Sequence, residues 1–266
     1  MLKWIIQSNL IKPVLLQAFR EAFATLQIDF EEVKVIPFSS ELPSFTPSTI
    51  NIFYGSTTLM LNAYAHQQFR NGVFYDPALF NTATYLQAWG DKIMNHDGKI
   101  LPFKEFVAQM IHQKETWFIR PNEDDKSFAG KTMASEEISA WYERIKGLGN
   151  PALNTETLIF VAAQKSIARE WRNFIINGKV VSSTRYAWQG VLDVSSEDCP
   201  REMIDFVEEC ANVFSPHDIF VMDVAEVSNQ FKIIECNCFN GTGFYTYAVK
   251  DVIKEVTERI MQIHDL

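Results

Sequence analysis

Two acidic residues near the carboxyl end of the chain, Asp223 and Glu235, are the strongest candidates for chemistry. They lie in two β-rich runs, 219–227 and 231–235, and the polar tripeptide 228–230 between these runs predicts a hairpin. Counted outwards from a three-residue loop, the two acids stand opposite each other on one sheet face, with Cβ atoms about 5 Å apart. A loop of two or four residues would break this register.

Asn237 belongs to the same candidate group, because side chains alternate along a strand and position 237 shares its face with Glu235. Two carboxylates held this close repel each other unless a cation lies between them. Oxygen ligands of this kind suit Mg²⁺. Asp223, Glu235 and Asn237 therefore predict a magnesium site, against the simpler interpretation of a solvated hairpin with accidental acids.

A second hairpin is predicted around Asn177-Gly178, a pair of residues that strongly favours a two-residue turn. Counted from that turn, Arg172 faces Ser183 and Glu170 faces Arg185, with all four side chains on one face. An isolated Glu–Arg pair is usually a weak surface contact. Here a second arginine lies beside apolar neighbours, so we interpret this face as an anion-binding site.

The elements that must position these residues predict a mixed α/β fold. Short apolar runs at 3–7, 32–38 and 49–54 are typical of strands, and a helical stripe covers 13–26. This order predicts a small α/β lobe over about the first 75 residues. The turn 55–57, Gly-Ser-Thr at the end of a strand, could touch a ligand, although such a turn is more often only a turn.

Beyond this lobe the chain predicts both helices and strands. Helices are predicted at 77–94 and 135–146, and a further helix begins at Pro102. Strands are predicted at 116–121 and 157–162. The loop 122–131 contains charged residues, a glycine and few apolar anchors, so we expect it to be mobile.

Composition restricts the class of protein. With 266 residues, of which 47% are hydrophobic, the chain can bury a substantial core. The net charge of −9 disfavours nucleic acids and anionic membranes as partners, and a nucleotide would need a local basic cluster. Four cysteines without C-x-x-C spacing favour reduced thiols in a cytoplasmic protein, and no apolar run reaches transmembrane length.

In chain order, these pieces resemble the ATP-grasp superfamily, and within it the clade in which an arginine replaces the usual second ATP-binding lysine. The matching motifs are Phe118-Ile-Arg120-Pro-Asn, Glu170-Trp-Arg172 with its Asn-Gly turn, and Asp223 followed by Glu235-Cys-Asn237. The resemblance covers roughly residues 80–250. It implies two α/β subdomains that grip ATP between them, with Mg²⁺ bridging the phosphates.

We therefore expect three domains: an N-terminal α/β lobe at 1–75, an ATP-grasp subdomain with a mobile basic loop at 76–155, and a second subdomain with the metal site at 156–266. The predicted magnesium ligands fall on the family's metal-ligand positions. Residues that the resemblance places against ATP are Arg120, Lys126 or Lys131 from the loop, Lys92, and the backbone of Phe160, Val161 and Ala162.

The remaining charged residues would bind the substrate. Arg172 and Arg185 would hold a carboxylate or an acyl phosphate, and Glu170 would orient Arg185 or reach a second metal. The acid that many relatives use to hold the ribose hydroxyls is absent from 161–165.

The resemblance implies an ATP- and Mg²⁺-dependent carboxylate–amine (or carboxylate–thiol) ligase. Its expected partners are a small-molecule or peptide carboxylate and an amine acceptor, which displaces phosphate from an acyl phosphate. Two alternatives remain: a kinase that uses a hydroxyl acceptor, and a nucleotide-binding module without turnover. The opposed carboxylates argue against the second alternative.

Overall fold

The computed structural model describes residues 1–37, 39–110, 113, 115–124, 127–147, 149, 153–245 and 248–265. The chain divides into two compact units. The first unit is Met1–Asp76 together with Ile167–Leu266, and the second unit is Pro77–Ser166. The first unit thus contains residues 1–75, which were predicted as the N-terminal lobe, together with 167–266 of the predicted last subdomain.

Twelve strands and seven α-helices are described. In chain order the strands are β1 (Leu2–Gln7), β2 (Phe30–Val33), β3 (Ile50–Tyr54), β4 (Lys99–Pro102), β5 (Thr116–Pro121), β6 (Lys131–Ala134), β7 (Leu158–Ala163), β8 (Arg169–Ile176), β9 (Lys179–Trp188), β10 (Val191–Ser195), β11 (Ile219–Val227) and β12 (Gln230–Asn237). The helices are α1 (Pro13–Leu26), α2 (Thr57–Ala65), α3 (Thr82–Trp89), α4 (Phe103–Met110), α5 (Ser135–Lys146), α6 (Arg201–Val213) and α7 (Val249–Ile263). None of the helices in the described part of the chain has the length and apolar character needed to cross a bilayer.

The first unit contains a parallel sheet in the order β2-β1-β3 and an antiparallel sheet in the order β10-β9-β8-β11-β12. One hydrophobic core joins β1, α1 and β3 to β8, β11 and α7. Trp4 on β1 is fully buried, and its Nε1 donates a hydrogen bond to Thr257 Oγ1 on α7 at 3.0 Å. The N-terminal lobe and the C-terminal sheet are therefore one packed body.

Asn240 connects the segment after β12 to the N-terminal strands of the first unit. Its side chain is fully buried, and its Nδ2 donates to the carbonyl oxygens of Phe53 (2.6 Å) and Gly72 (2.9 Å). Its Oδ1 accepts from the Phe74 N–H at 2.6 Å, and its own carbonyl accepts from the Gly55 N–H at 2.9 Å. A single amide side chain thus satisfies buried backbone groups that would otherwise lose their hydrogen bonds.

The second unit contains an antiparallel sheet in the order β4-β7-β5-β6, with α4 and α5 packed against it. The predicted helix at 77–94 is shorter in the structure, because Asn81 caps α3 by accepting from the Thr84 N–H, and Gly90 ends it at a φ of 54°. Pro102, predicted to open a helix, is instead the last residue of β4. The β7 strand pairs with β4 and β5, and for this reason it belongs to the second unit.

Candidate active site

The β11–β12 hairpin places Asp223 directly opposite Glu235, which confirms the predicted pairing. The loop has two residues rather than the predicted three, since Ser228 and Asn229 both have positive φ, as a type I′ turn requires. A β-bulge then adds Ile234 to β12 and restores the register of the two acids. The shorter loop and the bulge compensate each other.

Asn237 lies two residues beyond Glu235, and its Nδ2 donates to Glu235 Oε1 at 3.0 Å. Asp223 and Asn237 are 2% and 3% exposed, so the group forms a mostly buried cluster of oxygen-bearing side chains. In the described part of the chain no three His, Cys, Asp or Glu residues form a candidate metal cluster. The candidate set accordingly consists of two carboxylates and one amide, whose hard oxygen donors fit Mg²⁺.

Arg172 forms a two-point ion pair with Asp223. Its Nε donates to Asp223 Oδ1 at 2.9 Å, and its Nη2 donates to Asp223 Oδ2 at 2.6 Å. Its Nη1 donates to the Gly243 carbonyl at 2.9 Å, and the guanidinium lies 4.9 Å from the ring centroid of Tyr245. These three hydrogen bonds use three of the five N–H groups of an arginine, so two N–H groups remain for an anion.

Glu170 accepts a hydrogen bond from the Tyr186 hydroxyl at 2.8 Å, on the same face as Arg172. The ring of Tyr186 stacks on that of Tyr245, with centroids 4.9 Å apart and an interplanar angle of 15°. Burial raises the pKa of Tyr186, so its hydroxyl keeps its proton and remains a donor to Glu170. The two tyrosines, missed in the sequence, therefore complete this face.

The predicted pairing of Glu170 with Arg185 is wrong. Bulges in β9 shift the register, so Arg172 faces Thr184 instead of Ser183, and Arg185 faces Trp171. A one-residue shift moves a side chain to the other face of the sheet.

On that other face, the Arg185 side chain makes two ion pairs and one aromatic contact. Its Nη1 lies 2.8 Å from Asp193 Oδ2, its Nε lies 2.7 Å from Asp198 Oδ2, and its guanidinium lies 5.0 Å from the Trp188 ring centroid. The structure thus separates Arg185 from the Asp223 cluster.

In the second unit, Arg120 is 5% exposed on β5, and its Nη1 donates to the Tyr85 hydroxyl at 2.9 Å. Lys131, expected in the mobile loop, is the first residue of β6 and faces Ile119. Its ammonium lies 4.8 Å from the Trp141 ring centroid, on the face packed against α5. Arg120 and Lys131 consequently point to opposite faces of this sheet.

The other predicted nucleotide contacts are distributed along the second unit. Lys92 ends the short 3₁₀-helix after α3, and Lys126 lies outside the described residues. On β7, Phe160 and Val161 pair with β4 on one side and with β5 on the other. The pairs with β4 end at Val161, and those with β5 continue through Ala163. Of the three predicted adenine contacts, Ala162 is the one that pairs with a single strand, β5, among the described residues.

The Glu170 carboxyl should make stability depend on pH. Burial raises its pKa, and the hydrogen bond from Tyr186 opposes this effect only in part. A carboxyl with a higher pKa in the folded than in the unfolded protein holds its proton longer in the fold. The free energy of unfolding should therefore fall as pH rises from about 4.5 through the raised pKa.

Glu170→Gln keeps an acceptor for Tyr186 but removes the titration, so its melting temperature should lack this fall with pH. The measurement is thermal unfolding of both proteins in EDTA between about pH 4 and pH 8. The exposed Glu41→Gln is the control and should follow the wild type. Parallel curves for wild type and Glu170→Gln would contradict the prediction.

The sequence of the chain matches the model of one protein family over more than half of its length. The family model that matches is an ATP-grasp domain, family 2 of the clade in which arginine replaces the second lysine, and it covers residues 102–255. No curated protein matches the chain in sequence.

Solved structures resemble the chain over nearly its whole length. A RimK domain ATP-grasp protein from Sphaerobacter thermophilus has a TM-score of 0.64 at 11% identity, with 97% of this chain and 99% of that chain covered. The D-cycloserine synthetase DcsG has a TM-score of 0.64 at 10% identity, covering 98% and 100%. The D-alanine–D-alanine ligase from Bacillus anthracis complexed with ATP has a TM-score of 0.61 at 11% identity, covering 100% and 98%. At these identities the likeness shows a common fold.

Proposed function

Since the chain belongs to the ATP-grasp domains, in family 2 of the arginine-for-lysine clade, we propose that it is an ATP- and Mg²⁺-dependent ligase that joins a carboxylate to an amine. One observation carries the proposal: Asp223 and Glu235 stand opposite each other, with Asn237 and Arg172 hydrogen-bonded to them. Two carboxylates directly opposite on a sheet destabilise each other, and a cation bound between them would offset that repulsion.

In the proposed reaction, an oxygen of the substrate carboxylate attacks the γ-phosphorus of ATP. The bond between this phosphorus and the β–γ bridging oxygen breaks, ADP leaves, and an acyl phosphate forms. The amine nitrogen then attacks the acyl carbon, the bond from that carbon to the phosphate oxygen breaks, and phosphate leaves. The nitrogen loses a proton to solvent or to a nearby base, which completes the amide.

The residues of the first unit would perform the electrostatic part of this reaction. Asp223, Glu235 and Asn237 would hold Mg²⁺, which neutralises phosphate charge when bound. Arg172 fixes the orientation of Asp223, and its two remaining N–H groups would bind the carboxylate or the transferring phosphoryl group. Glu170 and Tyr186 hold the neighbouring part of the face in place.

The residues of the second unit would bind the nucleotide. Arg120, oriented by Tyr85, would contact phosphate, and the backbone from Ala162 onward would contact the adenine edge. None of the four cysteines, all of which lie in the described part of the chain, is in a disulfide, which supports a reducing, cytoplasmic compartment for the protein.

Hydroxylamine trapping tests the proposed chemistry. The protein is incubated with Mg²⁺, ATP, hydroxylamine and a pool of carboxylic acids, amino acids and short peptides, and the products are read by mass spectrometry. A ligase should give a hydroxamate together with ADP and phosphate, whether its natural acceptor is an amine or a thiol. Omission of Mg²⁺ should prevent the reaction.

Two other results would contradict the proposal. A stable phosphorylated product without hydroxamate would indicate a kinase. AMP and pyrophosphate would indicate transfer of an adenylyl group.

A further inference from the structure

A cavity of about 310 Å³ lies in the first unit, beside the face that carries Arg172. It is lined by residues 10–12 just before α1, by Leu15 in the first turn of α1, by Tyr54 at the end of β3 with residues 55 and 56, and by residues 242–245 after β12. Its volume is at the lower end of the range for small-molecule sites, about 300–1,000 Å³. Gly55 and Ser56, from the Gly-Ser-Thr turn that the sequence singled out, contribute to this wall. We call this cavity the Lys12 pocket.

The walls of the Lys12 pocket are held in place by buried contacts. The Tyr54 hydroxyl donates to the Thr242 carbonyl at 2.6 Å, which ties the end of β3 to the loop after β12. The Phe244 ring stacks on the core residue Phe174 with centroids 4.4 Å apart. These contacts fix the shape of the pocket walls, and small-molecule sites are usually largely preformed in this way.

The Lys12 pocket shares two of its lining residues with the surroundings of Arg172. The Gly243 carbonyl accepts from Arg172 Nη1 at 2.9 Å, and the Tyr245 ring lies 4.9 Å from the guanidinium. A molecule in the pocket therefore lies next to the group proposed to receive the reacting carboxylate.

The charge of the pocket lining indicates which of the two proposed substrates, the carboxylate or the amine, binds there. Among its described lining residues, Lys12 is the one with a full charge, and none is a carboxylate. The rest of the wall is mostly apolar, with Leu10, Ile11, Leu15 and Phe244 among its members. Among these lining residues an ammonium group would meet Lys12 and no acid, whereas an anionic molecule would be attracted to Lys12.

We propose that the Lys12 pocket binds the carboxylate substrate, as a monocarboxylic acid of about amino-acid size with an apolar body and no free ammonium group. This inference rests on the proposed ligase function and names the substrate class for it. The apolar body contacts Leu10, Ile11 and Leu15, and the carboxylate lies at the Arg172 end. The amine acceptor binds outside this pocket.

Two probes of matched shape test the inference on the whole protein without nucleotide. N-acetyl-L-leucine has an apolar side chain and a carboxylate, while L-leucinamide has the same side chain and an ammonium group. Ligand-observed NMR titration should show binding of N-acetyl-L-leucine at millimolar concentrations and at least about tenfold weaker binding of L-leucinamide.

Two pairs of variants locate the binding. Lys12→Glu should weaken binding of N-acetyl-L-leucine about tenfold, whereas Lys34→Glu, at an exposed lysine outside the pocket, should not. Leu10→Trp should narrow the pocket and weaken binding, whereas Val14→Trp, at a residue 74% exposed on the same segment, should not. Melting curves of all four variants verify that they fold.

Different results would contradict the assignment of the Lys12 pocket and the proposed ligase function. Absence of N-acetyl-L-leucine binding, equal binding of L-leucinamide, or equal binding by Leu10→Trp and Val14→Trp would overturn the pocket assignment. A hydroxamate formed with unchanged KM for the acid in Lys12→Glu and Leu10→Trp would also overturn it, while leaving the ligase intact. Binding that follows the prediction without any ATP-dependent product would support the acid-binding pocket and contradict the ligase.

Discussion

Asp223→Asn and Glu235→Gln are each expected to lower ATP turnover by at least about 10³-fold. Each substitution removes an anionic oxygen donor from the set proposed to hold Mg²⁺, and charge stabilisation by such a metal contributes several kcal/mol. The measurement is ADP release with Mg²⁺ in excess. Glu226→Gln is a matched control, because Glu226 lies on the same strand as Asp223 and its Oε2 is paired with Arg169 at 2.7 Å on the opposite face.

The two variants should differ in stability. Asp223 is 2% exposed and accepts both contacts from Arg172, so neutralising it leaves a largely buried guanidinium without its counter-ion. Loss of one partner of a buried ion pair typically costs about 3–5 kcal/mol, and an asparagine that keeps one acceptor should cost up to about 3 kcal/mol. Glu235→Gln retains an acceptor for Asn237, and its cost should be below about 1 kcal/mol.

Denaturant unfolding in EDTA measures these costs without interference from metal. Turnover retained in both folded variants would remove Asp223 and Glu235 from the metal site. Equal stability of Asp223→Asn and wild type would show that the ion pair with Arg172 contributes nothing to folding.

Arg172→Ala is expected to lower kcat by about 10- to 150-fold while changing the KM for ATP much less. The substitution deletes charge-assisted hydrogen bonds worth about 1.5–3 kcal/mol, which should strengthen as the phosphoryl group is transferred. Arg172→Lys should recover little, since a single ammonium cannot contact both oxygens of Asp223 and the Gly243 carbonyl as the planar guanidinium does.

Arg185→Ala provides the contrast for Arg172→Ala. Arg185 lies on the opposite face, where it pairs with Asp193 and Asp198, so its loss should reduce the melting temperature and leave kcat within about twofold of the wild type. Steady-state kinetics of Arg172→Ala, Arg172→Lys and Arg185→Ala at saturating substrate make the comparison. A larger fall in kcat for Arg185→Ala than for Arg172→Ala would reverse the assignment of the two arginines.

Local signals in the sequence predicted most elements that carry the site. The Asn177-Gly178 turn has both residues at positive φ, and it joins β8 and β9 in the predicted hairpin. The strand and helix at 116–121 and 135–146 have the predicted bounds. These segments combine a strong turn signal or a clear apolar pattern with an unambiguous end, so local preference and tertiary packing agree.

The errors arise where register depends on packing rather than on local sequence. Bulges in β9 move Arg185 away from the site and bring Tyr186 to Glu170. No residue type in 179–188 indicates a bulge. On β12 the bulge at Ile234 offset a wrong loop length, so the pairing of Asp223 with Glu235 was predicted correctly from an incorrect count. Counting along an alternating strand is reliable only to the first inserted residue.

The connection between Trp4 on β1 and Thr257 on α7 has a consequence for protein synthesis. The first unit is built from both ends of the chain, so its shared core cannot close until α7 has left the ribosome. The second unit is continuous in sequence, and all of its strands emerge earlier. Because domains tend to fold as units while the chain is still growing, the second unit should fold first. The apolar faces of β1 and α1 should then stay exposed to chaperones until α7 has emerged.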